Sequence, residues 1–165
     1  MATTLYQQVM ERAFKLLSYK PRSVAELRER LLAKPAVDES TVDQVLSRLT
    51  ELGYLNDQQF AINYASSRLN IKPLGRTRLR RDLERKKLPS RAVEQALDEA
   101  YTERNEDELI DRVIDKRLRL KGPPGSREET KKLFDYLIRR GFGYDLVLRK
   151  IRQIAKDVDE FDGNG

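Results

Sequence analysis

A helical hydrophobic pattern that returns about every fifty residues does most to limit what this chain can fold into. Leu27 and Leu31 stand 52 residues before Leu79 and Leu83, which stand 54 before Leu133 and Leu137. Val42 and Leu46 precede Val93 and Leu97 by 51, and these precede Val147 and Ile151 by 54. Each pair has the i, i+4 spacing of one helix face. Leu88 and Phe142 fall in the same turn of their repeats. No run alternates at period two for long, so no sheet is expected. The chain therefore reads as all-α, with three tandem three-helix modules over 1–55, 56–104 and 105–157 and an acidic flexible tail over 158–165. A three-helix unit of this size has a small core and stacks on its neighbours, which predicts an elongated, curved, solenoid-like array.

Local signals place the helices. The first runs from about Leu5 to Tyr19, with Val9, Ala13, Leu16 and Leu17 on one face. Ser23 and Glu26 have capping-box spacing ahead of Leu27. After Pro35 comes a helix carrying Val42, Val45, Leu46 and Leu49, with Gly53 at the position just past its end. The fourth opens at Asn56 and carries Phe60, Ala61, Tyr64, Ala65 and Leu69. Leu79 and Leu83 mark the fifth, Val93, Ala96, Leu97 and Tyr101 the sixth. The seventh opens after Asn105, with Leu109, Ile110, Val113, Ile114 and Leu118, and stops at Gly122-Pro123-Pro124-Gly125. Ser126 and Glu129 repeat the capping-box spacing before Leu133, Phe134 and Leu137, and the ninth helix carries Leu146, Val147, Ile151 and Ile154.

The chain has no Cys, no His and no Trp. That excludes thiolate or imidazole metal sites, disulfides and Cys/His nucleophile pairs. Gly122 to Ser126 superficially resembles a phosphate loop but lacks the Lys-Ser/Thr step, and its prolines remove N–H donors, so it is read as a linker. No serine sits in a Gly-x-Ser-x-Gly elbow. Glu103, Glu106, Asp107, Glu108 and Asp111 cluster, but most lie where the seventh helix starts and suit its dipole. No catalytic residue, cofactor site or metal site is expected. Neither a secretory leader nor a stretch of ~18 apolar residues is present, so the expectation is a cytoplasmic protein off the membrane.

Charge patterning says more. Lys and Arg number 33 against 27 Asp and Glu, a net charge of +6. From Arg68 to Lys87 there are nine bases and two acids; from Glu94 to Asp111 there are eight acids and one base. Lys116, Arg117, Arg119 and Lys121 form a second basic stretch, and Arg139, Arg140, Arg149, Lys150 and Arg152 a third. Arg76, Arg80 and Lys87 are expected on one face of the fifth helix at i, i+4, i+11, on a helix that devotes little more than Leu79 and Leu83 to its core. Such opposed patches point to an acidic partner, either nucleic-acid phosphate or a protein surface. Phe60, Tyr64, Phe134 and Phe142 fall on core faces, which argues against sequence-specific readout of single strands.

Several runs resemble the RecX family, bacterial regulators of the RecA recombinase. They are Ser23-Val-Ala-Glu26-Leu27 with Leu31, Gly53-Tyr54-Leu55-Asn56-Asp57 with Phe60-Ala61, Tyr64 and Arg68, Gly75 with Arg78-Leu79-Arg80-Arg81-Asp82-Leu83, and Leu137-Ile138-Arg139-Arg140-Gly141-Phe142-Gly143-Tyr144-Asp145. The resemblance covers about residues 10 to 155. The family often has Lys-Gly after the second helix of a module; here that place holds Lys34-Pro35 and Lys86-Lys87. The resemblance implies a non-enzymatic role in recombination, DNA repair and the SOS response. The chain would lie along the groove of the RecA filament on single-stranded DNA and limit its extension, ATPase and strand exchange. Docking is assigned to Arg76, Arg80, Arg81, Arg85 and Lys87, with secondary contacts from Lys116, Arg119, Arg139 and Arg140, and the chain is expected to act as a monomer. The alternative is a helical protein that binds DNA directly without RecA.

Overall fold

The computed structural model describes residues 2–162. Among them are nine α-helices and no strand: α1 (Leu5–Tyr19), α2 (Val24–Leu32), α3 (Glu39–Glu51), α4 (Asp57–Ile71), α5 (Arg76–Glu84), α6 (Ser90–Glu103), α7 (Glu106–Lys121), α8 (Arg127–Arg139) and α9 (Tyr144–Asp162). The all-α, three-by-three order read from the repeat is the order observed. The acidic segment expected to be a flexible tail is helical as far as Asp162, because α9 runs on through it; 163–165 lie outside the described residues.

The helices start where side chains can satisfy their first amides. Thr4 and Gln7 form a reciprocal capping box at α1. Asp38 accepts from Thr41 N at 2.6 Å, and hydrogen bonding from the Thr41 side chain first and this amide second holds its carboxyl below the usual value. The two boxes expected from the sequence, at Ser23 and Ser126, are only half built. Ser23 accepts from Glu26 N and Ser126 from Glu129 N, each at 3.1 Å. The Glu26 carboxylate turns instead toward the Lys86 ammonium at 3.8 Å. Glu129 takes the amide of Gly125 at 2.7 Å, one residue ahead of the cap.

The chain divides into two compact units. One joins the segment up to Tyr64 with Asp82–Ala96, the other joins Ala65–Arg81 with the chain from Leu97 onward. In the first, Val9, Ala13, Leu27, Leu31, Val42, Val45, Leu46, Leu49 and Leu55 form one buried cluster between α1, α2 and α3. In the second, Leu79 and Leu137 are fully buried, as is Ile110 of α7. Each such side chain contributes roughly 1.5–3 kcal/mol of transfer free energy. Tyr101, also in this unit, donates its hydroxyl to the Leu74 carbonyl at 2.8 Å. Burial first, and the Glu106 charge second, push the Tyr101 pKa well above its ordinary value.

A particular junction occurs once in each unit. In the first, the buried Ser23 hydroxyl at the head of α2 donates to the Lys86 carbonyl in the turn after α5 at 2.6 Å, while Val24 N donates to Asp57 at 2.9 Å. In the second, Gly75 N at the head of α5 donates to the Arg140 carbonyl at 2.9 Å and Thr77 N to the Gly141 carbonyl at 3.1 Å, in the turn after α8. Ser23 and Gly75 are 52 residues apart and Lys86 and Arg140 are 54 apart, so these are repeat-equivalent contacts. In both, the donor end of one second helix meets the acceptor end of the next module's second helix, a favourable meeting of opposite partial charges. The second junction is the tighter. A Cβ on Gly75 would fall 2.2 Å from the carbonyl carbon of Gly141, and one on Gly141 would fall 2.3 Å from Cβ of Arg78. The turn keeps a left-handed residue in all three modules: Ala36 at φ 65°, Lys87 at φ 56° and Gly141 at φ 92°. The Lys86-Lys87 departure therefore keeps a left-handed residue at the position of Gly141, at the cost of a side chain in a region that favours glycine, whereas after Lys34-Pro35 it comes one residue later, at Ala36.

Candidate interaction surface

The basic stretch over α5 does not form a single face. The helix ends at Glu84, so Lys87 lies beyond it in the left-handed turn and is off the Arg76–Arg80 stripe. Its ammonium reaches across to Glu29 of α2, and this bond holds the Glu29 carboxyl below its usual value. Arg76 is half-buried, with its guanidinium on Asp98 of α6 and its amide on Glu106 at 3.1 Å. Arg80 is half-buried and engaged with neighbours. Arg81 and Arg85 are exposed, and no acid among the described residues pairs with either. Of the five residues assigned to primary docking, these two present unneutralised charge to solvent.

The acids from Asp98 to Asp111 are largely engaged within their own unit. Besides Asp98 on Arg76, Asp107 accepts from Arg149 at 2.9 Å, and Asp111 lies 2.8 Å from the Lys150 ammonium. The Asp111 hydrogen bond raises the Lys150 pKa above its usual value. The basic patch expected to include Arg149 and Lys150 is thus corrected. Both reach acids at the start of α7, Lys150 from a mostly covered position and Arg149 from the surface. Among the described residues no cluster of acids is arranged to hold a metal.

In the third module Lys116, Arg119 and Arg139 are exposed, with Arg119 Nε 3.4 Å from the Asp115 carbonyl of its own helix. Arg140 is half-buried. Its carbonyl serves the junction, its guanidinium lies 5.8 Å from the Tyr136 ring centroid, and its Nε has no hydrogen-bond partner among the described residues. Burial pulls its pKa below the usual arginine value. Sequence reasoning missed Tyr136, and with it the role of Arg117, whose guanidinium sits 4.1 Å from the same ring. Tyr136 and Arg140 at i, i+4 were the available signal.

Three family models match the chain in succession: RecX first three-helix domain over residues 10–49, second over 56–97 and third over 105–151. The chain belongs to the RecX family. Similar family members include the "Regulatory protein RecX" of Prosthecochloris aestuarii (strain DSM 271 / SK 413), 31% identical over 148 residues, covering 90% of this chain and 94% of that one. That of Amycolatopsis mediterranei (strain U-32) is 30% identical over 152 residues, covering 92% and 86%. The RecX protein of Bacillus cytotoxicus (strain DSM 22905 / CIP 110041 / 391-98 / NVH 391-98) is 27% identical over 163 residues, and there the chain spans only 60% of the relative's length. In fold, the chain is similar to the crystal structure of RecX from Lactobacillus salivarius, with TM-score 0.79, 22% identity, 94% of this chain and 97% of that chain covered. No helix among the described residues is long and apolar enough to cross a membrane.

Proposed function

We propose that this RecX-family chain is a non-enzymatic, cytoplasmic regulator of the RecA recombinase that acts as a monomer. It binds along the RecA–single-stranded DNA filament and limits filament extension, ATPase and strand exchange. The observation that carries this reading is the succession of all three RecX domains, in order, along one chain. Module boundaries at 55/56 and 104/105 fall between those matched spans. Docking is electrostatic. Arg81, Arg85, Lys116, Arg119 and Arg139 are exposed cations available to carboxylate or phosphate, and arginine can meet either with a two-pronged hydrogen bond. Arg76 and Lys87 already hold Asp98 and Glu29, so they contribute only if an incoming acid displaces those pairs.

The test is RecA's single-stranded-DNA-dependent ATPase with the chain titrated from far below to above the RecA concentration. A falling rate at substoichiometric amounts is expected, because blocking filament growth needs few molecules. No effect at excess would remove the reading for the RecA used. Arg81→Glu with Arg85→Glu should weaken the inhibition and leave the far-UV circular dichroism unchanged; full inhibition by this double variant would move the docking site elsewhere.

A further inference from the structure

Arg117 of α7 and Arg140, the residue that caps α8, share one aromatic ring, that of Tyr136, at 4.1 Å and 5.8 Å from its centroid. The two like charges are therefore held no more than about 10 Å apart, about the Debye length at 0.1 M salt. No acid among the described residues pairs with either. All three side chains are half-buried, so water screens the repulsion less than it would on an open surface. Arg117 also lines a cavity of about 220 Å³ with Lys121, Lys132 and Glu129. The acids near that cavity are already engaged: Glu129 accepts the Gly125 amide at 2.7 Å, and Glu128 lies 3.6 Å from Lys132. Lys116, Arg119 and Arg139 add exposed charge on the same two helices. An arrangement that concentrates cations and sets two guanidinia against one ring, with no counter-charge among the described residues, is completed by an anion.

We propose that Arg117, Tyr136 and Arg140 form a docking point for the phosphodiester backbone of a single-stranded nucleic acid. The ring holds each guanidinium by cation–π attraction and leaves its edge for a phosphate. A backbone of evenly spaced charges can meet this pair whatever its sequence, as strand-tracking basic surfaces do. An acidic peptide would need carboxylates clustered at matching positions. The proposal deepens the docking reading above but is tested without RecA, so its failure and that of the regulator reading are distinguishable.

The experiment is fluorescence anisotropy of a labelled oligothymidylate with the full chain across a salt series. Arg117→Gln is expected to weaken binding about threefold to tenfold at low salt and to flatten the log–log salt slope by about 0.7. Tyr136→Leu should also weaken binding, while Tyr136→Phe, which keeps the ring, should retain it. Arg30→Gln, an exposed arginine of α2, should change affinity less than about twofold. Circular dichroism melts identify any variant that fails to fold, and Tyr136→Phe against Arg117→Gln then carries the decision. Wild-type affinity and slope in Arg117→Gln would overturn the proposal, as would absence of oligonucleotide binding by the wild type. Equal binding of polyglutamate with the same sensitivity to Arg117→Gln would replace nucleic acid with an acidic protein surface.

Discussion

Replacing Gly75 by Ala tests the junction at the head of α5. The new Cβ would lie 2.2 Å from Gly141 C and 2.3 Å from Gly141 O and Phe142 N. All three are backbone atoms, so no side chain can swing aside. Restoring van der Waals contact requires the two segments to part by more than an ångström. That separation stretches the bonds from Gly75 N to Arg140 O and from Thr77 N to Gly141 O, now 2.9 and 3.1 Å. Overpacking of this kind costs about 1–3 kcal/mol, and each weakened buried backbone bond adds about 1 kcal/mol or more. Restricting the unfolded chain returns only about 0.4–1 kcal/mol. The net expectation is a loss of about 3 kcal/mol, equivalent to a fall in Tm of roughly 6–12 °C for a chain of this length. Urea unfolding followed by circular dichroism gives the magnitude, and hydrogen exchange at the Thr77 amide gives the location. Gly125→Ala is the control: its Cβ would meet only Glu129 Oε2 at 3.6 Å, ordinary contact, and should shift stability by less than about 0.5 kcal/mol. If Gly75→Ala unfolds at the wild-type midpoint with Thr77 still protected, the close approach of these two backbones is wrong.

Ser23→Ala removes both a helix cap and the donor to the Lys86 carbonyl; urea midpoints should report a loss of about 2 kcal/mol, and a loss below about 0.5 kcal/mol would mean the buried hydroxyl contributes nothing to that junction. Tyr101 has a raised pKa in the folded chain, so its contribution is fully present below the unfolded value near 10 and is lost as pH rises through and above it. Urea midpoints compared at pH 8 and pH 11 should therefore fall more for the wild type than for Tyr101→Phe; parallel falls would show that the phenol ionises freely in the folded state.

The helices were legible because helix faces repeat on a period the sequence itself displays. The start and stop read for the first helix, Leu5 and Tyr19, are those of α1, and the stripe Val42, Val45, Leu46 and Leu49 is buried as read. Ion pairing was not legible, since it depends on which helices meet. Arg149 and Lys150 look like part of a basic patch until α9 is seen against Asp107 and Asp111. Lys87 was misplaced for a different reason. Its phase was counted along an unbroken helix, whereas α5 stops at Glu84 and the left-handed turn redirects the chain before α6. Gly75 and Gly141 stand in the runs that carry the family resemblance, but nothing local links two positions 66 residues apart.

The runs by which the chain resembles its family include the residues of these junctions beside buried core residues such as Leu27, Leu55, Leu79 and Leu137. Ser23 and Asp57 serve one; Gly75, Arg78, Arg140 and Gly141 serve the other. Such residues hold three-helix units in register, so a family match built on them identifies the fold and says little about which side chains meet a partner. Recognition must then fall to positions that structure leaves free, and Arg81 and Arg85 meet that condition where Arg140, half-buried with its backbone bonded into the junction, does so only in part. The two classes respond differently to substitution. Charge reversal at Arg81 and Arg85 should alter regulation while the unfolding midpoint stays put, whereas Gly75→Ala should move the midpoint first and lose regulation only as the junction opens. Loss of regulation in both with stability unchanged in both would mean that the junction itself is the surface the partner reads.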